Sequence, residues 1–194
     1  IVGIALFLFY PNKMKAVFYS FLWMMVFFCL PLLIISFQQL VFLYQSWGNM
    51  LANDYQSAYS LSVVGIINTW FNLDINKNLV LIPGCLLFLV PFLFRKNYRE
   101  LTFRIFALAS VLIWIIIFNH KAESPTFIVA MIGICIWYFA SPFSRTNLAL
   151  FLFAFILTSL SATDLFPKFI RVTYVKPYAL KALPCVMIWV KIVY

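Results

Sequence analysis

Charge is what this chain has least of. Charged residues make up 10% of the 194, and only 5 of them are acidic, against about 25% charged in a water-soluble domain. So few ionic groups leave no means of covering a solvent-facing surface, which excludes an ordinary soluble fold. Glycine is scarce too, at 5 residues, and the glycine-rich phosphate loops are missing: there is no GxGxxG and no Walker loop. HExxH, GxSxG and EF-hand patterns are likewise absent. Histidine occurs once and cysteine four times. Cys29, Cys85, Cys135 and Cys185 each sit inside an apolar run with no CxxC pair, so they read as small buried hydrophobes. No cofactor and no metal site is expected. Long Ser/Gly linkers, internal repeats and low-complexity tracts are also lacking, which points to one membrane domain over residues 1–194.

Apolar side chains fill the space these absences leave. Hydrophobic residues are 65% of the chain and aromatics 20%. The apolar segments are Ala16–Phe37, Leu79–Phe94, Leu101–Phe118, Thr126–Ala140, Asn147–Leu160 and Tyr178–Tyr194. Backbone groups in hydrocarbon must be paired within the segment or in a closed barrel. Barrel strands alternate apolar and polar residues, whereas these runs are apolar all round. The expected fold is therefore all-α, a polytopic transmembrane helical bundle of about six or seven spans. The chain opens inside another apolar run, Ile1–Tyr10, with no basic start and no small-residue cleavage site. That run reads as a truncated first helix, and the chain as the C-terminal part of a longer protein.

The net charge of +9 is distributed in short clusters between the apolar runs. No continuous basic surface tracks a nucleic acid, so none is expected as partner. Lys13 and Lys15, then Arg95, Lys96, Arg99 and Arg104, then Arg145 fall in alternate loops. The positive-inside rule makes that side cytoplasmic. The other side receives 38–78, 119–125 and 161–177, and with them Lys168, Arg171 and Lys176, which run against the usual bias. Residues 38–78 are too apolar for a disordered linker and read as an outer loop with interfacial helices over Leu40–Ala52 and Ser60–Phe71.

Two stretches could carry chemistry. The first, Asn119-His120-Lys121-Ala122-Glu123-Ser124-Pro125-Thr126, packs an acid–base group, a cation and a carboxylate into one hairpin. A solvated loop with a proline helix start would look much the same. The second runs from Ala162 to Lys181, where Asp164, Lys168, Arg171, Lys176 and Lys181 stand among Phe166, Phe169, Tyr174 and Tyr178. Cations beside aromatics suit a lipid-linked phosphate, but they also suit snorkelling to phospholipid headgroups. Asp54 and Asp74 are weaker candidates for a general base, and Asp74 fits a turn and helix cap.

The run Asn119–Ala130 after the apolar helix Phe106–Phe118 resembles a segment of bacterial glycosyltransferase family 87, multi-span enzymes of the GT-C class. Leu61–Ile67 before Trp70 resembles that family's outer-loop segment, and Lys181-Ala182-Leu183-Pro184-Cys185 its C-terminal end. The resemblance implies transfer of a mannose-like or arabinose-like sugar from a polyprenyl-phosphate donor to a glycan or glycolipid acceptor. It implies a site at the outer face of the plasma membrane, toward the periplasm or cell exterior. The family's essential carboxylate lies in an early outer loop outside this chain. His120 and Glu123 are then the expected catalytic residues, with Lys121 on the donor phosphate; Lys168 and Arg171 are placed on that phosphate by their charge alone. The alternative is a transporter or flippase for a lipid-linked or small anionic solute, and a third reading is a structural subunit. A transporter would carry ionisable residues near mid-membrane, whereas here they gather at one face.

Overall fold

The computed structural model describes residues 12–53, 61–73, 75–94, 98–119 and 122–194. All regular structure among them is helical. The expected truncated helix at Ile1–Tyr10 lies outside the described residues, as do Arg95 and Lys96. The chain divides into two units between residues 58 and 59.

In the first unit, α1 (Lys13–Cys29) runs into a 3-10 turn, Leu30–Leu33, opened by Pro31. No residue of α1 is buried. Next comes α2 (Phe37–Asn53). Its start is written in the sequence Ser36-Phe37-Gln38-Gln39: the Ser36 hydroxyl accepts from Gln39 N at 3.4 Å, and the Gln39 side chain accepts from Ser36 N at 3.2 Å. This reciprocal capping box satisfies amide groups that a helix start leaves unpaired. Tyr44 closes the hairpin by donating to Phe28 O at 2.9 Å, its ring 4.8 Å from that of Phe28.

The second unit holds α3 (Val63–Phe71), α4 (Lys77–Leu89), α5 (Leu101–Ile117), α6 (Phe127–Ala140), α7 (Arg145–Ala154), the single turn α8 (Lys168–Ile170) and α9 (Ala182–Val193). Its centre is α5 against α6, with α9 across both. Ala109, Ile113 and Ile117 of α5, Ala130 and Ile134 of α6, and Ala182, Cys185 and Ile188 of α9 are buried there. Small residues set the closeness of the α5–α6 crossing. A Cβ on Gly133 would lie 2.9 Å from Ala109 O and 2.9 Å from Ile113 Cγ1, so the backbones meet where only glycine fits. Polar side chains inside are paired: Trp114 Nε1 donates to Gly84 O at 3.2 Å, and Trp189 Nε1 to Ser110 Oγ at 3.0 Å.

Two expected segments change character. Asn147–Leu160 belongs to a longer rod in which α7 loosens into a π turn, Phe155–Ser159, and tightens into a 3-10 turn, Leu160–Ala162. Tyr178–Tyr194 is helical only from Ala182, and residues 176–181 form a turn. Among the described residues, two helices are long and apolar enough to cross a membrane, Lys13–Leu33 with 21 residues and Arg145–Ala162 with 18. The other apolar helices, Lys77–Leu93, Leu101–Ile117, Ser124–Ala140 and Ala182–Val193, fall within 10–17 residues.

Candidate functional site

At one end of the second unit, several pieces of chain converge on a pocket of about 330 Å³. Its walls are Leu61, Ser124, Ser161, Ala162, Arg171, Val175, Lys176 and Lys181. Each reaches the pocket for a local reason. Leu61 directly precedes the α3 cap, where the Ser62 hydroxyl accepts from Gly65 N at 3.3 Å. Ser124 belongs to the 3-10 turn Ser124–Thr126 that leads into α6, with Pro125 at its start. Ser161 ends the α7 rod and donates to Leu157 O at 2.5 Å. Arg171 and Val175 bound a second π turn, Arg171–Val175, and Lys176 caps it. π turns widen a helix by a residue and recur at functional sites.

Lys181 is the centre of the arrangement. It is 3% exposed, and it is held at both ends. Its carbonyl accepts from Thr158 Oγ1 at 3.0 Å, which ties it to the first π turn. Its Nζ donates to Ser124 Oγ at 2.5 Å and sits 5.6 Å from the centroid of the Phe127 ring. The turn that delivers it bends at Ala179, which has φ 49°, a left-handed conformation that costs a non-glycine residue roughly 1–2 kcal/mol. Trp70 braces the same turn by donating from Nε1 to Tyr178 O at 3.0 Å. Burial holds the Lys181 amine below its ordinary value of 10.5, because desolvation disfavours the charged form.

Arg171 donates from Nη1 to Ala162 O at 3.4 Å, a long bond that leaves most of its donors for other partners. The described carboxylates are Glu100, Glu123 and Asp164, and none of them lines the pocket. Three cations and two hydroxyls therefore face one cavity with no acid among its described walls. Such a set can hold an anion with oxygen acceptors, phosphate among them. Its described walls contain no carboxylate and no histidine.

Of the residues expected from sequence, Arg171 lines the pocket. Lys168 is exposed on α8 and is not among its walls. Glu123 is exposed, and its carbonyl accepts from Thr126 Oγ1 at 2.7 Å. His120 and Lys121 lie outside the described residues, and so do Asp54 and Asp74. Between His120–Lys121 and the pocket stand Ala122, which is 4% exposed, Glu123 and the pocket residue Ser124. Lys176 and Lys181 belong to the second candidate stretch and Ser124 to the first without an assigned role, and Ser161 lies just outside both. The available signal for Lys181 was a lysine at the head of an otherwise apolar run.

The cations of the opposite end are organised differently. Lys191 donates to Asn147 Oδ1 at 2.6 Å and lies 5.9 Å from the centroid of the Trp137 ring, while Asn147 Nδ2 donates to Pro142 O at 3.0 Å. That group is internally satisfied. No group of three or more His, Cys, Asp or Glu residues able to hold a metal occurs among the described residues. No protein-family model, no curated protein and no solved structure matches the chain.

Proposed function

We propose that the chain forms part of a multi-pass membrane glycosyltransferase of GT-C type. It moves a sugar from a polyprenyl-phosphate donor to a glycan or glycolipid acceptor at the outer face of the plasma membrane. One observation carries the reading. Leu61, Ser124 and Lys181 line the same pocket, and each comes from a different one of the three stretches that resemble glycosyltransferase family 87. Segments far apart in sequence thus supply the walls of one cation-lined cavity of about 330 Å³, as a donor site requires.

The chemistry follows from the charges. An acceptor hydroxyl oxygen bonds to the anomeric carbon, and the bond from that carbon to the phosphate oxygen breaks. The electron pair leaves on the phosphate, and the hydroxyl proton passes to a base that the pocket does not supply. Arg171, Lys176 and Lys181 stabilise the charge that develops on the departing phosphate. His120, shortly before the pocket residue Ser124 in sequence, is assigned to the donor phosphate or the reacting sugar. The short apolar helices serve as further spans beside the two of full length, to a total of six or seven.

Transfer of radiolabelled sugar from polyprenyl-phosphate donors in membranes containing the protein tests the reading. Arg171→Gln with Lys176→Gln is expected to lower transfer at limiting donor about tenfold, and His120→Ala to lower it at saturating donor. Absence of transfer from every polyprenyl-phosphate sugar tried would sink the proposal. Movement of the intact lipid-linked sugar across the vesicle wall would put the transporter reading in its place.

A further inference from the structure

We propose that the Arg171–Lys176–Lys181 pocket selects a phosphomonoester dianion over a phosphodiester. If the transferase reading holds, on which this biological meaning rests, the spent polyprenyl phosphate is held more tightly than the sugar-charged donor.

The argument is one of charge and donor count. A phosphodiester carries one negative charge and two terminal oxygens. A monoester at neutral pH carries about 1.5 to 2 charges and three terminal oxygens. The pocket offers three cationic side chains along one stretch of chain: Arg171 at the start of a π turn, Lys176 at its cap and Lys181 at the head of α9. Ser124 adds a fourth donor, since its oxygen accepts from Lys181 and its own proton is left to point at a ligand. A pocket meant to reject a second charge would set a carboxylate in the wall. The two acids nearest in sequence, Glu123 and Asp164, are both exposed and outside the lining.

Lys181 sharpens the preference. A surface lysine can swing away and let water screen its charge. This one is buried and pinned through both its carbonyl and its Nζ. Coulomb attraction grows in proportion to ligand charge, and it is screened least where water is excluded. Each cation therefore gains more from the dianion, and the buried one gains most. The same arrangement aids transfer, because the phosphate passes from one charge to two as the sugar leaves, and binding that strengthens along that path lowers the barrier. Retention of the product is its consequence.

The test is direct binding to the protein in nanodiscs, with farnesyl phosphate, its methyl diester and inorganic phosphate as probes. Farnesyl phosphate is expected to bind at least about tenfold more tightly than the methyl diester. Lys181→Met is expected to erase most of that gap. Arg171→Gln with Lys176→Gln, both away from the buried core, should narrow it as well, so a misfolded Lys181 variant does not decide the matter. Equal affinities for the two esters, or a gap that survives both sets of changes, would overturn the proposal. Inorganic phosphate bound as tightly as farnesyl phosphate would support the dianion preference and assign it to a free phosphate, against a lipid-linked one. A monoester preference in a protein that transfers no sugar would leave this inference standing and remove the transferase reading.

Discussion

At the scale of single residues, Lys181 is the buried cation of the pocket and Ala179 shapes the turn that delivers it. Ala179 is buried and left-handed at φ 49°. Glycine adopts that conformation freely, whereas a β-branched residue meets severe crowding there. Ala179→Val is therefore expected to lower the melting temperature and to weaken phosphate binding, while Ala179→Gly keeps both close to native. Thermal unfolding and phosphate titration of the two variants check this. A second expectation concerns protonation. The folded-state pKa of Lys181 lies below the ordinary 10.5, so between the two values the unfolded chain binds more protons than the folded one. Stability contributed by this group then rises with pH through that window, and below it the buried charge is a standing cost. NMR titration of labelled lysines should find one that loses its proton below 10.5. Neither role could be read from pattern alone: alanine carries no left-handed signature as glycine or asparagine does, and a lysine at the head of an apolar run has the look of an ordinary snorkelling anchor.

At the scale of elements, the apolar runs and their helical character were open to reading, because lipid-buried backbone admits few other solutions. The ends and irregularities were not. The turns Phe155–Ser159 and Arg171–Val175 depart from α geometry within segments whose composition is uniform. The first of them holds Thr158, whose hydroxyl donates to Lys181 O, a partner 23 residues away. Replacing Thr158 by Val keeps the shape and removes the hydroxyl, so it should loosen Lys181 with little loss of packing volume. Phosphate affinity is expected to fall while the far-end bond from Lys191 to Asn147 is kept. The α5–α6 crossing gives a cleaner structural test. Gly133→Val must displace the Ala109 carbonyl and the Ile113 side chain, and overpacking of this kind costs about 1–3 kcal/mol or more. A clear drop in melting temperature is expected, and an unchanged one would contradict the close approach of these helices.

At the scale of the whole molecule, alternation of the loops predicted that 119–125 and 161–177 share a side, and Ser124, Ser161 and Arg171 do line one pocket. Which side faces out is a matter for labelling in a cysteine-free background. Glu123→Cys and Thr163→Cys are expected to react with an impermeant reagent from outside, and Phe143→Cys only after the membrane is opened. Glu123 is the right position because its neighbour Ala122 is buried. The short helices of the second unit carry a further consequence. Leu101–Ile117, at 17 residues, spans about 25 Å, while the hydrocarbon of a typical bilayer is about 30 Å thick. If these short helices span the bilayer as proposed, lipid beside them compresses to meet them. The protein then makes a dimple in the sheet, and a phosphate reaches the cation-lined pocket by sinking below the level of the surrounding headgroups. Bilayer thickness becomes a control on access under that reading: sugar transfer is expected to run fastest in short-chain lipids and to slow as the acyl chains lengthen, with the protein's own fold unchanged.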